Sequence, residues 1–113
     1  MRKVSISLGL LTAVIFFQFC SSSKKASKPV AVTYEKNVLP VFQTSCTPCH
    51  IAGKGNKKSL DNYANAKDVA DDILSRIQKK PEEHGFMPMR NPKLPDSTIA
   101  VFTEWKKAGL LEK

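Results

Sequence analysis

An all-α domain is the fold class this sequence predicts, on three observations. Apolar residues recur at three- and four-residue steps in separate segments, and glycine and proline fall between those segments. No stretch alternates apolar and polar residues long enough to make a strand. The predicted domain occupies residues 33–113.

The chain ahead of the domain has a different character. Residues 1–20 combine a short basic start (Arg2, Lys3), an apolar run from Leu8 to Phe19 and an abrupt change to Ser21, Ser22, Ser23, Lys24 and Lys25. That is the layout of an export signal. The apolar run falls short of the roughly 20 residues that a membrane span requires. Residues 21–32 are small, polar and basic, with Pro29 among them, and read as a flexible tether.

Within the domain, Thr33 is placed to cap a first helix with apolar positions Tyr34, Val38, Leu39 and Phe42. Pro40 fits the first turn if Asn37 is the cap, and kinks the helix otherwise. The glycines and lysines of residues 53–58 make a loop. Ser59 or Asp61 then opens a second helix whose broad apolar face, from Tyr63 through Ala66, Val69, Ala70, Ile73 and Leu74 to Ile77, stops before Pro81. Pro95, Asp96 and Ser97 offer the cap of a last helix, Ile99, Phe102 and Trp105 mark its apolar face, and Gly109 ends it. Phe42 and Trp105 read as core residues, because large aromatics dominate small cores.

Cys46, Thr47, Pro48, Cys49 and His50 carry the chemistry. Two thiols three residues apart with histidine directly after them are the pattern for covalent attachment of a c-type haem. On a helical turn, positions i, i+3 and i+4 share a face, so both sulfurs and the imidazole address one group. The thiols are then the attachment points of one haem, and His50 is an axial iron ligand. A structural zinc site needs further ligands, and the third cysteine, Cys20, ends the apolar leader. A thioredoxin-like redox pair shares the cysteine spacing but belongs to a β-α-β pattern, and it leaves His50 without a role. A domain this small has a marginal core, and a covalently held apolar group is the staple it needs, so the apoprotein is expected to fold poorly.

With the signature, the helices on either side of it and a late Met-Pro pair, residues 33–113 resemble the class I monohaem cytochrome c family. The resemblance implies a fold in which the first and last helices cross near right angles around one haem. It also implies single-electron transfer, with no catalytic residue, and a methionine from a late loop as the second axial ligand. Met87, followed by Pro88, matches that methionine; Met89 and His84 are the alternatives on the same loop. A haem enzyme or a ligand sensor is the other reading, and either requires a labile sixth position. Tyr63 is a further candidate, as a donor to a haem propionate.

Cys20, between an apolar run and a serine-lysine stretch, resembles the lipid-modified cysteine of bacterial lipoproteins, which implies a membrane-anchored protein of the periplasm or cell envelope. Ordinary cleavage between Cys20 and Ser23, or an uncleaved anchor, stays open. The formal net charge of +8 falls to +6 once Arg2 and Lys3 leave with the segment. Lys54, Lys57 and Lys58 follow the signature, while Lys79, Lys80, Arg90 and Lys93 flank Met87. Grouped around a haem edge they would steer an acidic redox protein; otherwise they are a solvated basic surface. Export disfavours nucleic acid as a partner, and the glycines around Lys54 lack the Gly-Lys-Ser/Thr ending of a phosphate loop.

Overall fold

Helix is the regular structure found among the described residues, which in the computed structural model run from 30 to 113. The expected leader, Cys20 and the tether as far as residue 29 lie outside the described residues. A π-helical turn, Tyr34–Val38, leads directly into α1 (Leu39–Ser45). After a long loop come α2 (Tyr63–Asp68), α3 (Ala70–Gln78) and α4 (Asp96–Lys107). Among the described residues, no helix is long and apolar enough to cross a membrane.

Pro40 accounts for the π turn. It has no N–H to give to a carbonyl four residues back, and the wider register, in which the Leu39 N–H reaches the Tyr34 carbonyl, brings it into the first turn of α1 where no donor is needed. Neither expected cap acts as one. The Thr33 hydroxyl is buried without a hydrogen-bond partner, and Asn37 reaches back to accept the Thr33 N–H through Oδ1 at 2.9 Å. The end of the chain does the capping instead: the Tyr34 N–H donates to Leu111 O at 2.8 Å and the Glu35 N–H to Glu112 O at 3.0 Å. Orphan donors of a helix start can be met by any acceptor, here one far away in sequence.

That carbonyl array exists because α4 ends in a Schellman motif. The Leu110 N–H bonds Trp105 O and the Gly109 N–H bonds Lys106 O, with Gly109 at φ +86°, and the chain turns back across the first helix. Trp105 Nε1 donates to Leu111 O at 2.8 Å, and the Tyr63 hydroxyl donates to Leu110 O at 2.7 Å.

The second predicted helix is two. Its N-cap is Asn62, whose Oδ1 accepts the Asn65 N–H at 3.1 Å, rather than Ser59 or Asp61, and Val69 leaves helical geometry at φ −115°, ψ 20°. The apolar spacing runs unchanged across this break, which is why periodicity does not register it. Ala66, Ala70, Ile73 and Ile77 remain buried on one side.

Tyr34, Phe42, Phe102 and Trp105 form the centre of the core, each at most 3% exposed. Tyr34 packs against Trp105 with ring centroids 6.0 Å apart and Phe42 against Phe102 at 5.5 Å, both tilted, so the first helical segment and α4 are locked by aromatic pairs. Phe42 and Trp105 are core, as the sequence indicates.

The Tyr34 hydroxyl donates to Leu60 O at 2.7 Å. Burial, then the charges of Asp61 and Glu112, push its pKa up from 10.0 to about 12. A folded state that holds the phenol proton above the unfolded value is stabilised in full below pH 10 and loses that stability as pH rises from 10 to 12. Denaturant unfolding across that range should show a loss on the order of 2 kcal/mol that Tyr34→Phe lacks, the variant being weaker by about 1 kcal/mol at neutral pH for the missing hydrogen bond.

Candidate cofactor site

The C-terminus of α1 feeds straight into the cysteine pair. The Cys46 N–H bonds Phe42 O, and a non-helical turn closes beyond it through the His50 N–H to Cys46 O, each at 3.1 Å. Cys46, Cys49 and His50 lie on this turn rather than on a helix, and all three border a cavity of about 450 Å³. This is within the range of ligand pockets, about 300–1,000 Å³. Three helices, α1, α3 and α4, contribute to its wall. Phe42 comes from α1, Ile73 and Ile77 from α3, and Phe102 from α4, while Leu60 and Leu94 come from the connecting segments. Met87 is half-buried against the core on the same wall.

His50 is oriented by the loop that follows it. Its Nδ1 lies 2.9 Å from Lys58 O, and because a carbonyl only accepts, Nδ1 is the donor, which in the neutral ring leaves Nε2 as the nitrogen with the lone pair. The loop is fastened back onto the signature by Lys57 N–H to Cys49 O at 3.2 Å and Leu60 N–H to His50 O at 2.8 Å. Asp61 closes its base, accepting from the Ala52 N–H at 3.2 Å and from the Ser59 hydroxyl. The Ser59 and Ala52 donors hold the Asp61 carboxyl below the ordinary carboxylate range. Stability from a lowered carboxylate is present above its unfolded pKa of about 4 and is lost as pH falls through the folded value, so acid loosens this base. Gly55 makes the loop fit: a Cβ there would stand 2.2 Å from Cys49 O and 2.5 Å from Cys49 Cα.

Burial pushes the Cys46 thiol up to about 11, so it is a neutral thiol at physiological pH. Dithiol redox motifs work through a stabilised thiolate, commonly at a helix N-terminus. Cys46 instead sits at the C-cap of α1, which disfavours an anion. Among the described residues, no three His, Cys, Asp or Glu side chains come together as a metal ion would need. Cys46, Cys49 and His50 border a largely apolar cavity.

The three late-loop candidates are placed differently. Met87 and Met89 both border the cavity, but Met89 is 58% exposed. His84 is exposed and borders a second cavity, of about 530 Å³, on whose wall Met87 also lies. Tyr63, whose hydroxyl is taken by Leu110 O, is not among the residues bordering the first cavity. Of the basic residues, Lys57 and Lys58 border that cavity, whereas the amines of Lys79 and Lys93 reach the carbonyls of His84 and Gln78. Sequence reasoning missed Asp72 and Arg76, which border the cavity from α3. With Val69, Ile73 and Ile77 they stand at i, i+3, i+4, i+7 and i+8, and two charges within an apolar stripe are the signal that was there to find.

The chain matches no family model, no curated protein and no solved structure.

Since Gly55 cannot accept a Cβ without backbone movement, Gly55→Ala should lower stability by about 2–3 kcal/mol. It should also free His50: nitrogen chemical shifts of the ring should show loss of the fixed Nδ1–H tautomer and faster exchange of that proton, with the wild type retaining both.

Proposed function

We propose that this chain is an exported monohaem c-type cytochrome that carries single electrons between protein partners. In this reading Cys46 and Cys49 are the covalent attachment points, His50 and Met87 the axial ligands, and residues 33–113 the cytochrome c domain. The observation that carries it is the meeting of two thiols, an imidazole with Nε2 left as acceptor, and a thioether on the wall of one apolar cavity. The residues fit a haem in kind and in number. Two sulfurs lie on one turn, and a nitrogen and a soft thioether are the usual His/Met axial pair of a cytochrome c.

Bound there by Cys46, Cys49, His50 and Met87, a haem would supply a one-electron iron couple. The chain's own residues do the rest. Lys58 O fixes the ring of His50 and raises its basicity, as a partner on the second ring nitrogen does for ligating histidines. Phe42, Ile73, Ile77, Leu94 and Phe102 exclude water and disfavour added positive charge, which raises the potential. The aromatic pairing of the first helical segment with α4 supports the crossing of first and last helices that the family resemblance implies. Lys57, beside exposed Cys49, supplies positive charge at the cavity edge, where an acidic redox protein would dock, whereas the charge of Lys58 is met by Asp68. Lipid at Cys20 would keep the domain on a membrane by a tether within the periplasm or cell envelope. A haem enzyme or ligand sensor would need an exchangeable sixth position, and the thioether of Met87 on the cavity wall favours electron transfer over both.

Protein made in a host with c-type maturation machinery should keep its haem on a denaturing gel and show a mass gain of one haem. Cys46→Ala or Cys49→Ala should weaken that attachment. If acid-acetone strips the wild type of haem, attachment through the thiols is wrong.

A further inference from the structure

The loop that carries Met87 has open space on both sides. Met87 borders the cavity it shares with Cys46 and His50, and it also borders the second, more open cavity of about 530 Å³. Met87 is only half-buried against the core, so hydrogen bonds to the loop add to what its packing supplies. Arg76 of α3 lies on the wall of both cavities and is the residue best placed to do so. Its backbone carbonyl accepts the Met87 N–H at 3.3 Å, and its Nη1 donates to Gly85 O at 3.4 Å, so one residue grips the loop at Met87 and two residues before it. The guanidinium is aimed in turn by Asp72, one helical turn earlier, whose Oδ2 accepts from Nε at 2.7 Å. Lys79 assists from the end of α3, its Nζ donating to His84 O at 2.8 Å.

Gly85 is shaped for this grip. It adopts φ +81°, open to glycine and strained for other residues, and a Cβ there would stand 3.2 Å from the Arg76 Nη1 and 3.5 Å from the Lys79 Nζ. The two cations thus close over the backbone at the one position without a side chain. A guanidinium suits the task better than an ammonium, because its planar fork serves Asp72 and Gly85 from different nitrogens in one fixed geometry.

We infer that Arg76 is the positioning residue for the sixth iron ligand: a clamp, aimed by Asp72 and received by Gly85, that holds Met87 against the haem cavity and sets how readily an outside ligand replaces it. This rests on the proposed ligand role of Met87. The clamp is a hydrogen bond from a charged donor, so its loss should raise the population of the Met87-off form on the order of tenfold.

The test is cyanide binding to the ferric holoprotein, read with amide hydrogen exchange at Phe86 and Met87. Arg76→Gln, which keeps the aliphatic stem, should take up cyanide on the order of tenfold faster than wild type and exchange the Met87 amide faster. Arg76→Lys should fall between them, and Asp72→Asn should show a smaller change in the same direction. Met87→Ala provides the reference for an open site. If Met87→Ala opens the iron to cyanide while Arg76→Gln and Arg76→Lys behave as wild type in both readouts, the clamp is wrong and the ligand assignment stands. If Met87→Ala leaves cyanide binding at the wild-type rate, the ligand assignment fails and the clamp with it.

Discussion

One hydrogen bond organises the candidate site: the Nδ1–H of His50 donating to Lys58 O at 2.9 Å. For that carbonyl to stand where it does, ten residues of loop must fold back on the signature that precedes them. The fold-back explains features that otherwise look unrelated. Gly55 lies against the Cys49 backbone where no Cβ fits, Lys57 and Leu60 return their N–H groups to Cys49 and His50, and Asp61 ties Ala52 and Ser59 together at the loop base. Leu60 then delivers its own carbonyl to Tyr34 in the core. A change of tautomer at His50 is thus opposed by the packing of the whole domain, and Nε2 is kept as the nitrogen available to a metal.

The second constraint is size. A short chain whose helices give up part of their apolar faces to a cavity of about 450 Å³ has less core left to bury, and folding free energies of domains like this are only about 5–15 kcal/mol. The structure compensates at the opposite end, where Tyr34, Trp105 and the Leu110–Glu112 carbonyls form a closed unit of aromatic contacts and hydrogen bonds. Under the proposed reading the covalent group would complete the other half. Such a group cannot dissociate, and the domain would hold its staple for life.

Much of this was legible in the sequence, and what was missed has physical causes. The all-helical character, the core roles of Phe42 and Trp105, and the end of the last helix at Gly109 follow from spacing and composition, which are local. Cys46, Cys49 and His50 come together through a local turn as well, though it is not the helical one their spacing suggests. Capping of the first helix was not legible: its acceptors, Leu111 and Glu112, come from the other end of the chain. The break at Val69 preserves the apolar period and leaves no trace in it. The partner of the second nitrogen of His50, Lys58, depends on how Gly55 and Asp61 fold the following loop. Tyr63 was a candidate for the cavity and turned instead to Leu110, an acceptor that exists only because α4 ends where it does. Arg76 was hidden by its neighbours, since an apolar stripe invites reading as core and its two charged members as solvated edges.

X-ray absorption at the iron edge of the purified holoprotein tests the account most directly, because it counts the atoms bound to iron and separates sulfur from nitrogen. Under the proposed reading the iron should have five nitrogen neighbours, four from the macrocycle and one from His50, with a single sulfur from Met87 that disappears in Met87→Ala. A shell of nitrogen alone in the wild type, a sulfur that persists in Met87→Ala, or protein that takes up no iron during maturation would contradict it.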